Sequence, residues 1–138
     1  MKKIKKPRIK TLVVGFPLYD QVTLMDFCGA TEVFAFPPAA EPAFVPIWLA
    51  AEKKPIKTSE GTFVYPQYSF SERHPAIDIL FVPGGKADGV TTVMFDDTFQ
   101  SFLKKTAADA SWIGSVCVGA FILAAAGLLK DSDRKSVV

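Results

Sequence analysis

Two cysteines and one histidine are all that these 138 residues contain of the side chains that most often ligate transition metals or staple small domains. Cys28 and Cys117 stand in unrelated local settings, which excludes a disulfide framework and a zinc knuckle, so no metal and no cofactor is expected. That usage fits a reducing compartment, and we expect a cytoplasmic protein. No Gly-Lys-Ser/Thr follows a glycine turn and no G-x-G-x-x-G occurs, which removes phosphate-loop and dinucleotide-binding readings. Internal repeats, linkers and low-complexity tracts are also missing, leaving one domain. Charge of one sign collects only at the start. Lys2, Lys3, Lys5, Lys6, Arg8 and Lys10 are six of the sixteen basic residues, so the rest carries ten bases against fourteen acids. Residues 1–9 read as a solvated, flexible leader, with no direct nucleic-acid contact expected. Nor does Thr11–Leu18 make a secretory signal, because Asp20 follows with no small-residue cleavage pattern.

Residues 112–129 run without a charge, a length at the lower limit for a membrane span. Gly114 and Ser115 break that reading, since Trp112–Val116 has the look of a buried strand and the remaining helix is too short to cross. What is abundant is apolar surface, 49% of residues, enough for a real core. Ile9–Phe16, Phe44–Ala51, Ile77–Val82 and Trp112–Val116 are short apolar runs that read as buried strands. Pro46 marks an edge or bend in the second of them. Ile56–Thr58 and Thr62–Tyr65 flank Ser59-Glu60-Gly61, a hairpin turn.

Helical spacing covers Leu24–Phe36, with Phe27, Ala30, Val33 and Phe34 on one stripe, and Phe95–Ala110, with Phe99, Phe102 and Leu103 inward. Val118–Leu129 is apolar on every face and is expected to be wholly buried. Strands alternating with helices predict an α/β fold: a mostly parallel sheet with helices on both faces and ligands beyond the strands' carboxyl ends.

Chemistry gathers at three places. Ser115-Val116-Cys117-Val118-Gly119-Ala120 puts a thiol on a sharp turn between strand and helix, where Gly119 lets the helix pack closely. Helix-terminal N–H groups beside sulfur favour a nucleophilic thiolate, and the Val118 N–H can face an oxyanion. The turn alone equally admits a buried, inert cysteine. Pro83-Gly84-Gly85 ends a strand with a backbone able to approach a ligand and turn its N–H groups inward. Asp26 opens a helix amid apolar neighbours, a position the helix dipole explains unaided but one from which a carboxyl near a thiol can carry protons. His74 lies in a polar loop at the far end of its strand and is read as a surface residue.

Leu18–Gly29, Phe81–Gly85 and Ser115–Leu129, in this order, resemble the first turn and helix, the glycine turn and the nucleophile elbow of the DJ-1/PfpI superfamily (class I glutamine amidotransferase-like). The resemblance spans 10–130 and implies a flavodoxin-like sandwich. An Asp at position 26 is similar to the branch holding isocyanide hydratases and the sensor domains of AraC-type regulators. For the hydratases it implies Cys117 as nucleophile and Asp26 as general acid/base, beside Gly84, Gly85 and Val118, which the two turns offer as substrate- or oxyanion-binding groups. A small molecule would be substrate or effector, in a homodimer of the full-length protein. A glyoxalase-like or stress-protective activity is a further alternative. Val118 stands where that branch usually has Thr, and Cys28 where a small residue is usual.

Residues 131–138 continue no earlier pattern. Asp133–Val138 followed by a stop is what GAT CGG AAG AGC GTC GTG TAG encodes, the opening of a common sequencing adapter. We therefore expect a domain missing its C-terminal part and a natural reading frame that continues. The 138-residue chain alone should be unstable and inactive, with an apolar helix face and a sheet edge left uncovered.

Overall fold

The computed structural model describes residues 10–36 and 42–130. The expected leader and the tail, 1–9 and 131–138, lie outside the described residues. Elements follow the order β1 (Thr11–Pro17), α1 (Leu24–Ala35), β2 (Ala43–Ala50), β3 (Ile56–Lys57), β4 (Phe63–Val64), β5 (Tyr68–Ser69), β6 (Ile79–Val82), α2 (Ala87–Met94), α3 (Asp97–Asp109), β7 (Trp112–Ser115) and α4 (Gly119–Ala125).

Five strands form one parallel sheet in the order β5-β2-β1-β6-β7, and β3 pairs antiparallel with β4 as the hairpin turn requires. From the central β1 the chain moves outward through β2 on one side, then returns to build β6 and β7 on the other. The crevice between the β1 and β6 carboxyl ends is therefore the switch point where such sheets bind ligands. Pro46 is tolerated because β5 pairs only with Leu49 and Ala50, leaving the outer side of β2 without a ladder at residue 46.

Alternation along the strands sends side chains to both faces. On one face Phe34 of α1 meets Phe16, Phe44 and Phe81 at centroid distances of 6.3, 5.2 and 6.0 Å. Leu80 and Val82, the alternate residues of β6, are fully buried on the other face, where α4 packs on β6 and β7 and α2 packs on α4. At the sheet's other end Asp78 closes a gap in the ladder, its Oδ2 accepting the Val13 N–H at 2.8 Å.

Three expectations change. Residues 87–94 form a helix that the pattern did not announce. Thr91, Thr92 and Gly89 are poor helix formers, but Val90 and Val93 bury on one side and supply what propensity lacks. Val33, placed on the apolar stripe of α1 by its spacing, is exposed. The last helix is shorter than Val118–Leu129. It stops at Ala125 in a Schellman turn, with Gly127 at φ 73° and N–H groups of Gly127 and Leu128 on the carbonyls of Ala124 and Leu123. Nor is it buried all round. Phe121 is 59% exposed and, on the outermost strand β7, Trp112 is 67% exposed. No helix among the described residues is long and apolar enough to cross a membrane.

Candidate active site

Three turns at the carboxyl edge of the sheet make the site. The first runs from β1 into α1 and is tied down by backbone bonds on two sides. Thr23 N–H donates to Gly84 O at 2.9 Å and Lys86 N–H to Gln21 O at 2.9 Å, while Gln21 N–H donates to Lys57 O at 2.8 Å. Gln21 adopts φ 73°, a left-handed conformation uncommon outside glycine, which turns its carbonyl toward Lys86. The hairpin tip reaches back to the same place, where Glu60 Oε2 accepts the Leu24 N–H at 3.1 Å and caps the start of α1.

The elbow is the third turn. Cys117 has φ 52°, is exposed, and stands between the last residue of β7 and the start of α4. A non-glycine residue held in the left-handed region is strained, and such strain concentrates at functional positions. Close packing beneath it depends on Gly119, where a Cβ would collide with the carbonyl oxygen of Val82 and the backbone of Pro83.

Gly84 is the meeting point. Its N–H donates to Asp26 Oδ2 at 3.0 Å. A Cβ placed on it would lie 2.9 Å from Asp26 Oδ2 and 3.0 Å from the Val118 nitrogen, so carboxyl and amide share one neighbourhood. Among the described residues, the Val118 N–H donates to no protein group and stays available to a ligand oxygen or anion. Burial raises the Asp26 carboxyl above its ordinary value, Gly84 N–H opposes that, and the Glu60 charge adds to it.

Cys28 lies on α1 with its thiol half-buried and pushed up, first by burial and then by Glu60. Gly85 packs against the first turn. A side chain there would strike the Gln21 carbonyl and the Tyr19 ring, so its smallness serves the packing of the first turn. His74 is away from the site, its ring beside Tyr68 and Phe102 and its Nδ1 2.8 Å from Pro75 O. No group of His, Cys, Asp and Glu among the described residues can hold a metal ion. A cavity of about 520 Å³ includes Tyr19 and Phe99 but not Cys117, Asp26 or Gly84. That hollow lies apart from the Gly84 neighbourhood, where Asp26 Oδ2 and the Val118 nitrogen come together.

The pattern of the DJ-1/PfpI family matches residues 13–136. An isonitrile hydratase of Pseudomonas putida is 36% identical over 119 residues, covering 86% of this chain and 49% of that enzyme. The HTH-type transcriptional regulator GbdR of Pseudomonas aeruginosa is 28% identical over 122 residues, covering 87% of this chain and 32% of the regulator. A solved ThiJ/PfpI family protein of Pseudomonas syringae superimposes with a TM-score of 0.79 at 29% identity, covering 90% of this chain and 49% of the other. The chain thus spans about half the length of the hydratase and about a third of the regulator. With a family match from the first strand to beyond the elbow helix, the expected parallel α/β sheet and the solved neighbour agreeing, the chain belongs to the DJ-1/PfpI family.

Proposed function

We propose that the complete protein is a cysteine-dependent isonitrile hydratase, converting R–N≡C and water to R–NH–CHO. The observation that carries this reading is the convergence of Asp26 Oδ2 and a free Val118 N–H on Gly84, beside the left-handed Cys117. In the first step Asp26 takes the thiol proton while sulfur attacks the terminal isonitrile carbon. Returning that proton to the carbon gives a thioformimidate, R–N=CH–S–Cys117. Water then adds to the same carbon, with Asp26 passing its proton to nitrogen, and the tetrahedral adduct collapses to release thiolate and formamide. Thiolate recovers its proton from the new hydroxyl through Asp26, so the enzyme returns unchanged. The Val118 N–H binds the partial negative charge that water's oxygen develops. The identity to the Pseudomonas putida hydratase supports the substrate class.

A second reading has its own support. Val118 brings no hydroxyl to the elbow, and the similarity to GbdR fits a sensor domain that binds a small effector without turning it over. Both readings make a small molecule the partner, a homodimer of the complete protein the assembly, and the cytoplasm the setting. The test is formamide production from an aryl isonitrile by the product of the complete reading frame. Loss of turnover in Cys117→Ala and Asp26→Asn supports the hydratase. Saturable binding with no turnover in the unaltered protein overturns it in favour of the sensor.

A further inference from the structure

Tyr19 carries no role in the chemistry above, yet its hydroxyl ends one peptide plane away from Asp26. That hydroxyl is buried and donates to the Pro83 carbonyl oxygen at 2.9 Å. The N–H of the same peptide belongs to Gly84 and donates to Asp26 Oδ2 at 3.0 Å. In a planar trans amide the C=O and N–H point to opposite sides, so Tyr19 and Asp26 grip one rigid unit from its two edges. The tyrosine itself is fixed. It is 5% exposed, meets Phe99 edge-on at 5.6 Å, and occupies the space beside Gly85, where a Cβ would come 3.0 Å from its hydroxyl.

We propose that Tyr19 is a positioning residue that sets the proton affinity of Asp26 through the Pro83–Gly84 peptide. The proposal rests on Asp26 as proton carrier. A phenol donating to the carbonyl draws electron density onto oxygen and makes the N–H at the other edge a stronger donor. A stronger donor favours the carboxylate over the acid. Burial, with the charges of Asp26 and Cys117 adding to it, pushes the Tyr19 phenol up, so it stays a donor wherever Asp26 titrates. With its proton committed to Pro83 O, Tyr19 does not act as the acid itself. Of the titratable groups here, Glu60 from the hairpin tip acts on Asp26, Asp26 and Cys117 of the elbow act on Tyr19, and Cys28 two residues along α1 feels Glu60. Tyr19→Phe removes the phenol alone.

The experiment is a carboxyl-carbon NMR titration of Asp26, with the Gly84 amide shift, in the product of the complete reading frame and its Tyr19→Phe variant. An upward move of the Asp26 midpoint with an upfield Gly84 amide proton supports the proposal. An unchanged midpoint in a folded variant overturns it. Should the phenylalanine variant not fold, 3-fluorotyrosine at position 19 keeps ring and hydroxyl while strengthening the donor. The Asp26 midpoint then moves down, and an unchanged midpoint overturns the proposal. These readouts need no turnover, so a failed hydratase reading and a failed Tyr19 reading are told apart. Where turnover is present, the acid limb of kcat/KM follows the Asp26 midpoint in both variants.

Discussion

Gly119→Ala adds one methyl group at the first residue of α4, and two effects of opposite sign compete there. Alanine is the better helix former by up to about 1 kcal/mol. Against that, the new Cβ would overlap the Val82 carbonyl oxygen and stand 3.0 Å from the Pro83 carbonyl carbon and 3.1 Å from its oxygen. All of these are backbone atoms, and none can swing aside. Val82 O is held by the Val116 N–H at 3.1 Å, and Pro83 O by Tyr19 at 2.9 Å. Forcing an extra carbon into a close-packed site costs about 1–3 kcal/mol, and displacing the Pro83 carbonyl from Tyr19 adds about 1–3 kcal/mol. The net expectation is destabilisation by about 1–6 kcal/mol, which lowers Tm by roughly 3–20 °C. Helix α4 must also move outward, carrying Val118 off Gly84 and shifting the adjoining Cys117, so iodoacetamide alkylation of that thiol changes rate. Calorimetry and alkylation kinetics on the product of the complete reading frame read both effects. Gly127→Ala is the control. It meets nothing within 4 Å, costs only the strain of its left-handed backbone, about 1–2 kcal/mol, and leaves the alkylation rate alone. A Gly119→Ala protein as stable as the parent, or more stable, would refute the reasoning.

Limited alkylation or peroxide treatment should modify Cys117 before Cys28. The first is exposed, while burial and Glu60 keep the second thiol protonated; peptide mapping by mass spectrometry checks this, and preferential labelling of Cys28 rejects the site. Asp26→Asn should lower turnover by about 10²–10⁴-fold while raising Tm at neutral pH. The Asp26 pKa is raised on folding, so its contribution to stability is fully present below the unfolded value and lost as pH rises through the folded one. The variant's melting advantage therefore shrinks on acidification, and an advantage that grows instead counts against the burial argument.

Much of the sheet was legible because buried parallel strands read as short apolar runs, and β1, β2, β6 and β7 fall within a few residues of Ile9–Phe16, Phe44–Ala51, Ile77–Val82 and Trp112–Val116. Ser59-Glu60-Gly61 announced its hairpin by turn chemistry. The two-residue β5 carried no signal, since Tyr68 and Ser69 are strand only by pairing with Leu49 and Ala50. Helix α2 was hidden because its stability comes from neighbours rather than from its own residues. At the candidate site, the elbow of Cys117 was the strongest local signal and the glycine turn a weak one, while Asp26 took its role only from the family resemblance. Tyr19 did not, because its partner is a carbonyl 64 positions away, and backbone carbonyls are invisible in a sequence. Glu60 was read only as a turn residue, for the same reason: the amide it caps lies 36 positions back. The exposed Phe121 face of α4 agrees with the uncovered helix face expected of this 138-residue chain. An apolar pattern says that a surface seeks cover and is silent on what covers it.

The strand order also governs when the site can exist during folding. β1, α1 and β2 form a local unit, with Val14 paired to Pro46, but Val14 also pairs with Ile79, so the central strand stays half-unpartnered until β6 has been made. Such long-range closure must be achieved before its contacts reward it, which slows parallel sheets. The elbow comes last, because β7 pairs with no strand but β6 among the described residues and Cys117 follows β7. Nascent chain up to the hairpin therefore holds Asp26 without the peptide that fixes it and without the thiol it serves. Fraying of β7 and α4 alone takes away the thiol while sparing the β1–β2 unit, β6 and the Gly84 N–H on Asp26. Fast, selective alkylation of Cys117 is thus a late marker of folding, one that reports the assembled edge rather than the mere presence of secondary structure.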